Sequence, residues 1–239
     1  TAWLLRRLPE ARSALGEALA IARELDDKNL IATSLCSLGH VAASEEDYEQ
    51  ARALLQEGLA LWRRLDSNHG IGWARLALGD LAFQQGDVDG AEAAFLESAE
   101  RLKRAGNYVL LAYPLRRLSY FALGRGEIEQ ALAFCQESLQ LNLQTNEQRG
   151  IAACLAALAG IHLASGKLVM AARLCGVLQK LTAGGNASLL QVDQVEYERT
   201  LAALRAQLGD EAFEQASHEG QALTLYEVTQ TVFAERAEP

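Results

Sequence analysis

A forty-residue step runs through this sequence and constrains its fold more than any other feature. Taken in that step, Leu38, Leu78, Leu118 and Leu158 coincide, as do Ala11, Ala51, Ala91, Ala131 and Ala171. Glu17, Glu57, Glu97 and Glu137 keep the same step. So do two large apolar series: Val41, Leu81, Phe121 and Ile161, and Leu8, Tyr48, Val88, Ile128 and Leu168. A fixed period of this size marks a solenoid, in which each unit buries its apolar face only against its neighbours. One whole unit lies between Ile71 and Leu110.

The units read as helices. Strong helix formers dominate, only three prolines occur in 239 residues, and no stretch alternates as a strand would. Helices are expected over about 8–25, 28–44, 47–65, 69–85, 87–105, 107–124, 127–143, 147–165 and 167–182. Asp47 and Asp87 stand at helix starts, where a carboxylate accepts orphan N–H groups. Gly86, Gly126 and Gly166 fall just past helix ends, where a left-handed residue is wanted. Pro9 suits the first turn of a helix beginning at residue 8, with residues 1–7 the tail of an earlier one. Pro114 lies inside a helix, its ring opposing the carbonyl of Leu110, so a kink is expected there. Two- or three-residue turns make paired helices antiparallel. Ala51, Ala91, Ala131 and Ala171 on one helix, with Gly39, Gly79, Ser119 and Ala159 on its partner, let the two approach closely.

The pattern breaks at Ala183-Gly-Gly-Asn-Ala-Ser188. An amphipathic stretch (189–208), a helix from Asp210 to about Gln221 and a last helix after Thr224 follow, and Thr224-Leu-Tyr-Glu227 has the form of a capping box. The fold expected is all-α: a right-handed superhelical solenoid of antiparallel helix pairs over 1–182, closed by a linker and degenerate helical cap over 183–239.

Several function classes find no support. A net charge of −9 without a clustered basic face argues against gripping nucleic acid. No apolar run is long enough for a membrane span, and no signal-peptide core is present. The chain begins Thr-Ala-Trp rather than with Met, and is expected to be a piece of a larger cytoplasmic protein. Cys36, Cys135, Cys154 and Cys175 lack metal-type spacing and read as small buried hydrophobes in a reducing compartment. Asn186-Ala-Ser188 matches a glycosylation sequon by chance. The four histidines are scattered, and no nucleophile elbow, phosphate loop or HExxH is present. No catalytic residue, metal or cofactor is expected.

The spacing within a unit resembles the tetratricopeptide repeat. Leu78-Gly79, then Gly86-Asp87, Ala91, Phe95 and Ser98 fall where that family places its Leu-Gly pair, turn, inner Ala, aromatic and second small residue. The unit is longer than the usual 34 residues, and the extra length is expected in the helices and in the turn between units. The family's Trp position holds Leu35, Arg75, Leu115 and Leu155, and its late Pro is missing. A narrower resemblance covers Val195–Phe213 and Gly220–Glu227, which look like the closing segment of bacterial STAND-ATPase transcriptional regulators of the maltose-regulon-activator type. In such proteins the array is a sensor that controls an ATPase, often beside a DNA-binding module. Neither module is present in this sequence, so they would be the array's own upstream partners.

The first resemblance also implies a binding face. Arrays of this kind bind along a concave face lined by the first helix of each unit. The matching positions are Thr33, Cys36, His40 and Ala43; Trp73, Leu76, Asp80 and Phe83; Tyr113, Arg116, Tyr120 and Leu123; and Ala153, Ala156, Gly160 and Leu163. Thr33, His40, Trp73, Asp80, Phe83, Tyr113, Arg116 and Tyr120 combine flat aromatic faces with opposite charges, as a peptide, protein or small-molecule effector site needs. The expected function is a non-enzymatic sensor array. A plain scaffold gripping a peptide or partner helix is the alternative.

Overall fold

One backbone turn, repeated, builds most of this chain. Asp26, Glu46, Asp66, Gly86, Gly106, Gly126, Asn146 and Gly166 are twenty residues apart, and all have φ between 51° and 78°. Each follows the last turn of a helix. The next residue closes that helix, its N–H reaching back five residues, as from Asp47 to the Ala42 carbonyl (2.9 Å) or Asp87 to the Ala82 carbonyl (2.9 Å). The same residue then starts the following helix. The Asp47 carboxylate accepts from the Gln50 amide at 3.2 Å, and Asp27, Ser67, Asp87 and Asn107 cap their helices alike. One residue thus ends one helix with its backbone N–H and begins the next with its side chain, and this fixes the antiparallel reversal.

The computed structural model describes residues 2–185 and 187–234, with side chains from Arg7 onward. Among them are twelve helices and no strand. They are α1 (Ala2–Glu24), α2 (Lys28–Ser44), α3 (Tyr48–Arg64), α4 (Asn68–Gln84), α5 (Val88–Arg104), α6 (Tyr108–Gly124), α7 (Ile128–Gln144), α8 (Gln148–Ala164), α9 (Leu168–Ala183), α10 (Gln191–Leu208), α11 (Asp210–Ala222) and α12 (Leu225–Ala234). The fold is an all-α solenoid of helix pairs, as the period requires.

Two expectations are corrected. The turns between units are no longer than those within them. From α2 to α8 every helix has 17 residues and every turn has three, so the length beyond 34 lies in the helices. Nor does a helix begin at residue 8: α1 runs from Ala2 to Glu24 with Pro9 inside it. One missing ladder bond does not end a helix whose later turns pack on α2. α6 likewise continues through Pro114 to Gly124.

The chain divides into two compact units, Thr1–Leu110 and Leu111–Pro239. In the first, α2 pairs with α3 and α4 with α5, while α1 packs on α2. Ala51 and Ala91 are fully buried at the pair contacts. Volume is matched across each pair: a Cβ on Gly39 would stand 2.6 Å from Leu55 Cγ, and one on Gly79 would stand 2.9 Å from Phe95 Cε1. The repeated glutamates tie successive second helices, Glu57 to Arg23 and Glu97 to Arg63, both at 3.6 Å. Glu97 also takes Arg75, the residue at the family's Trp position, at 2.6 Å. The pairs to Arg23 and Arg63 reach solvent and contribute little. The packing does more: Ala91→Leu is expected to cost about 1–3 kcal/mol by overpacking. Urea denaturation would measure this, and an unchanged midpoint would contradict the close contact.

In the second unit α7 is fastened to α6 by Ser138 Oγ donating to the Ala112 carbonyl (2.6 Å), as Ser98 in the first unit holds Gly72 (2.8 Å). α8 and α9 follow in the same register, and Ala131, Ala159 and Ala171 are fully buried. Beyond residue 183 the register is lost. α11 packs on α9 almost backbone to backbone: a Cβ on Gly176 would stand 1.9 Å from the Ser217 carbonyl oxygen, and one on Gly220 2.0 Å from that of Arg173. α12 returns to α7, where Gln136 Nε2 donates to the Val232 carbonyl (2.6 Å). Its start carries the expected capping box, with Thr224 N donating to Glu227 Oε2 (2.8 Å) and Glu227 N to Thr224 Oγ1 (3.2 Å). All four cysteines are buried and free. Asn186, part of the sequon, lies outside the described residues.

Candidate functional site

The expected site residues stand on the first helices of their pairs, α2 and α4 in the first unit and α6 in the second. The two units treat that face differently.

In the first unit the face is partly open. Thr33 is exposed, its hydroxyl returned to the Asn29 carbonyl at 2.9 Å. His40 and Trp73, on the first helices of successive pairs, α2 and α4, stack with ring centroids 6.1 Å apart and planes at 29°. Burial lowers the His40 pKa, so the imidazole is neutral at neutral pH and the stack is an uncharged aromatic surface. Asp80 is half-buried and Phe83 is 39% exposed. The structure therefore brings His40 and Trp73 together on a half-buried patch.

In the second unit the corresponding face is covered by the chain itself. α10 packs on α8, and Asp193, in its first turn, forms an ion pair with Arg116 of α6. Both are buried, Arg116 at 3% exposure and Asp193 at 0%. The Tyr120 hydroxyl donates to the same carboxylate oxygen, Oδ1, at 3.0 Å, and the Arg116 guanidinium lies 5.1 Å over the Tyr113 ring. Farther along, a Cβ on Gly160 of α8 would stand 3.3 Å from Thr200 Oγ1 of α10. Ala153 and Ala156, on the same face of α8, are 3% exposed.

Arg116 needs a correction. The sequence offers it as a groove cation for an anionic ligand, but it is buried and already holds a carboxylate. Tyr120 shares that partner. The physical reason is that the off-period segment after residue 183 folds back and supplies the anion from within.

The charges of the pair follow from its surroundings. Desolvation opposes the Arg116 cation, but the Asp193 carboxylate, Tyr120 and other neighbours outweigh it, and its pKa is raised. Burial raises the Asp193 pKa, and Arg116, the Tyr120 hydrogen bond and Arg117 only partly offset that rise. The guanidinium therefore stays charged throughout, while Asp193 takes up a proton earlier on acidification than an ordinary aspartate. Burial likewise raises the Tyr120 pKa, which keeps the phenol neutral and a donor.

Sequence reasoning missed Asp193, Tyr197, Thr200 and Leu204. Their spacing of four, three and four places them on one helical stripe, and all four are buried. An acid within such a stripe was the available signal. No group of metal-ligating side chains occurs among the described residues, and none of their helices is long and apolar enough to cross a membrane.

Comparison with known proteins agrees with this geometry. Residues 1–64 and 30–104 match the family model described as tetratricopeptide repeat. The crystal structure of BtubC (BKLC) from P. vanneervenii is similar with a TM-score of 0.67 at 14% identity, over 97% of this chain and 93% of that one. None of the curated proteins matches the sequence. The chain is thus a tetratricopeptide-like array. Such folds are typically non-enzymatic and generally mediate protein–protein interaction.

Proposed function

We propose that this chain is the protein-binding sensor array of a cytoplasmic bacterial signalling or transcription regulator of the STAND-ATPase kind. Its first-helix face in the first unit, with Thr33, His40, Trp73, Asp80 and Phe83, receives the partner. The observation that carries the binding part is the contrast between the two units: one first-helix face is filled by a helix, and the other leaves a stacked aromatic pair partly open. Aromatic side chains that are rigid and only partly covered are common anchors for a partner. The regulator context rests on the resemblance of the closing segment. A stand-alone scaffold gripping a partner helix is the second reading, favoured by the fact that the occupant of the filled face is itself a helix.

Two measurements test this. Trp73→Ala, in the protein that carries the array, is expected to weaken partner binding by about 2 kcal/mol or more while far-UV circular dichroism is unchanged. Leu96→Ser, an exposed position on α5, is the control and is expected to bind as wild type. Equal affinities of wild type and Trp73→Ala would remove the site from this face. Partner-dependent ATP hydrolysis by the full-length protein supports the regulator reading. A full-length protein that binds no nucleotide would leave the scaffold.

A further inference from the structure

We infer that the α6–α8 face is a second helix-binding site, one that recognises an acidic amphipathic helix and is held closed by α10 as an exchangeable internal occupant. The inference rests on reading the first-helix faces as binding surfaces, and it names the partner chemistry of one of them.

The occupant defines the recognition pattern. Asp193, Tyr197, Thr200 and Leu204 present one stripe inward, with exposures of 0, 8, 7 and 0%. Asp193 meets Arg116 and Tyr120, while Thr200 meets Gly160. Gly160 is the one family position on α8 without a side chain, and this allows the hydroxyl of the docked helix to approach. The partner that fits is a helix with a carboxylate, then an aromatic four residues on, a small hydroxyl three further and a leucine four beyond that. The opposite side of α10, with Gln194, Val195, Glu198, Arg199 and Ala202, is exposed, as on a ligand whose other face stays wet.

The docking has features of an exchangeable contact. Asp193 Oδ2 is buried and makes no hydrogen bond, so the carboxylate is only half satisfied where it lies. The N-cap position of α10, Leu190, supplies no capping side chain. At its C-terminal end Gly209 (φ +80) breaks the helix, and across that break Arg205 reaches Asp210 and Glu214 of α11. α11, by contrast, is clamped to α9 through Gly176 and Gly220. The two elements differ in how they are held: α11 meets α9 backbone against backbone, whereas α10 is held by side chains alone, and the one buried ion pair among them is only half satisfied.

The test uses the full chain and, as probe, a fluorescently labelled peptide of residues 189–208. Asp193→Ser in the chain weakens the internal occupant and leaves Arg116 for the probe. This variant is expected to bind the peptide at least about tenfold more tightly than wild type, because internal occupancy lowers apparent affinity by the fraction of sites left open. A peptide carrying Asp193→Ser should lose that gain. In a second chain, Gly160→Cys with Thr200→Cys, oxidation fastens α10 to α8. Peptide binding should vanish on oxidation and return on reduction. If Asp193→Ser reduces helicity, the oxidised-against-reduced comparison decides alone. Equal binding to oxidised and reduced chains overturns the proposal, as does the absence of saturable binding to both Asp193→Ser and the reduced chain. Binding that is lost in Trp73→Ala but indifferent to the disulfide would leave the first-unit reading standing and remove this one.

Discussion

Arg116→Ala is expected to destabilise the second unit by about 3–5 kcal/mol, the cost of leaving one partner of a buried ion pair without the other. Asp193 is fully buried, its Oδ2 has no hydrogen bond, and only the Tyr120 hydroxyl would remain on Oδ1. The variant's pH dependence gives a second readout. Burial raises the Asp193 pKa above 3.8 in the folded protein. Such a group favours the folded state most when protonated, below its unfolded value, and that contribution is lost as pH rises through the folded value. Removing Arg116 removes a lowering influence, so the folded pKa climbs further and the loss extends to higher pH. The destabilisation by Arg116→Ala should therefore shrink in acid. Replacing both partners, Arg116→Met with Asp193→Leu, should recover most of the loss, since an apolar pair of similar volume is often neutral or better. Because the chain has two units, hydrogen exchange in α6, α8 and α10 is the measurement, rather than one global midpoint. Additive single and double variants would show that the pair is not coupled.

Gly176→Ala should be nearly as severe, although alanine is the better helix former by about 1 kcal/mol. Its Cβ would lie 1.9 Å from the Ser217 carbonyl oxygen and 2.8 Å from the Ser217 carbonyl carbon. These are backbone atoms in α11 and cannot rotate aside. The helices must separate, which places the net loss at the top of the about 1–3 kcal/mol range for overpacking. The reciprocal change, Gly220→Ala, meets the Arg173 carbonyl oxygen at 2.0 Å and should behave alike. Separation would also break the Arg173–Glu219 ion pair at 2.8 Å. Limited proteolysis within 209–224 should accelerate in both variants, and wild-type cleavage rates would show that α11 is not clamped there.

The array was legible because its information is local and repeated. Asp47, Asp87, Gly86, Gly126 and Gly166 act within one turn of themselves, and a left-handed glycine or a capping carboxylate reports its own position. Asp26, Glu46, Asp66 and Asn146 hold the same backbone without glycine, and the forty-residue step reveals them only by analogy. Pro9 signals a helix start locally, whereas packing of the later turns carries α1 through it. The covering of Arg116 was not legible, since its partner lies 77 residues away in a segment that has left the period. Arg116 and Tyr120 have the composition of a binding site, and the structure uses that composition to hold α10.

The matched volumes across each helix pair also bear on how an array with near-identical turns avoids folding out of step. Twenty-residue modules with one shared turn could associate one module late, pairing a helix with the wrong neighbour. Phe95 already leaves no room for a single carbon on Gly79, and Leu55 leaves none on Gly39. Had Phe95 met Ser119 instead of Gly79, the serine side chain would clash with the ring. A slip that brings Phe95 onto a residue with a side chain is thus penalised by size alone. The differences between repeats that blur the consensus also index the units and give each helix one neighbour it fits.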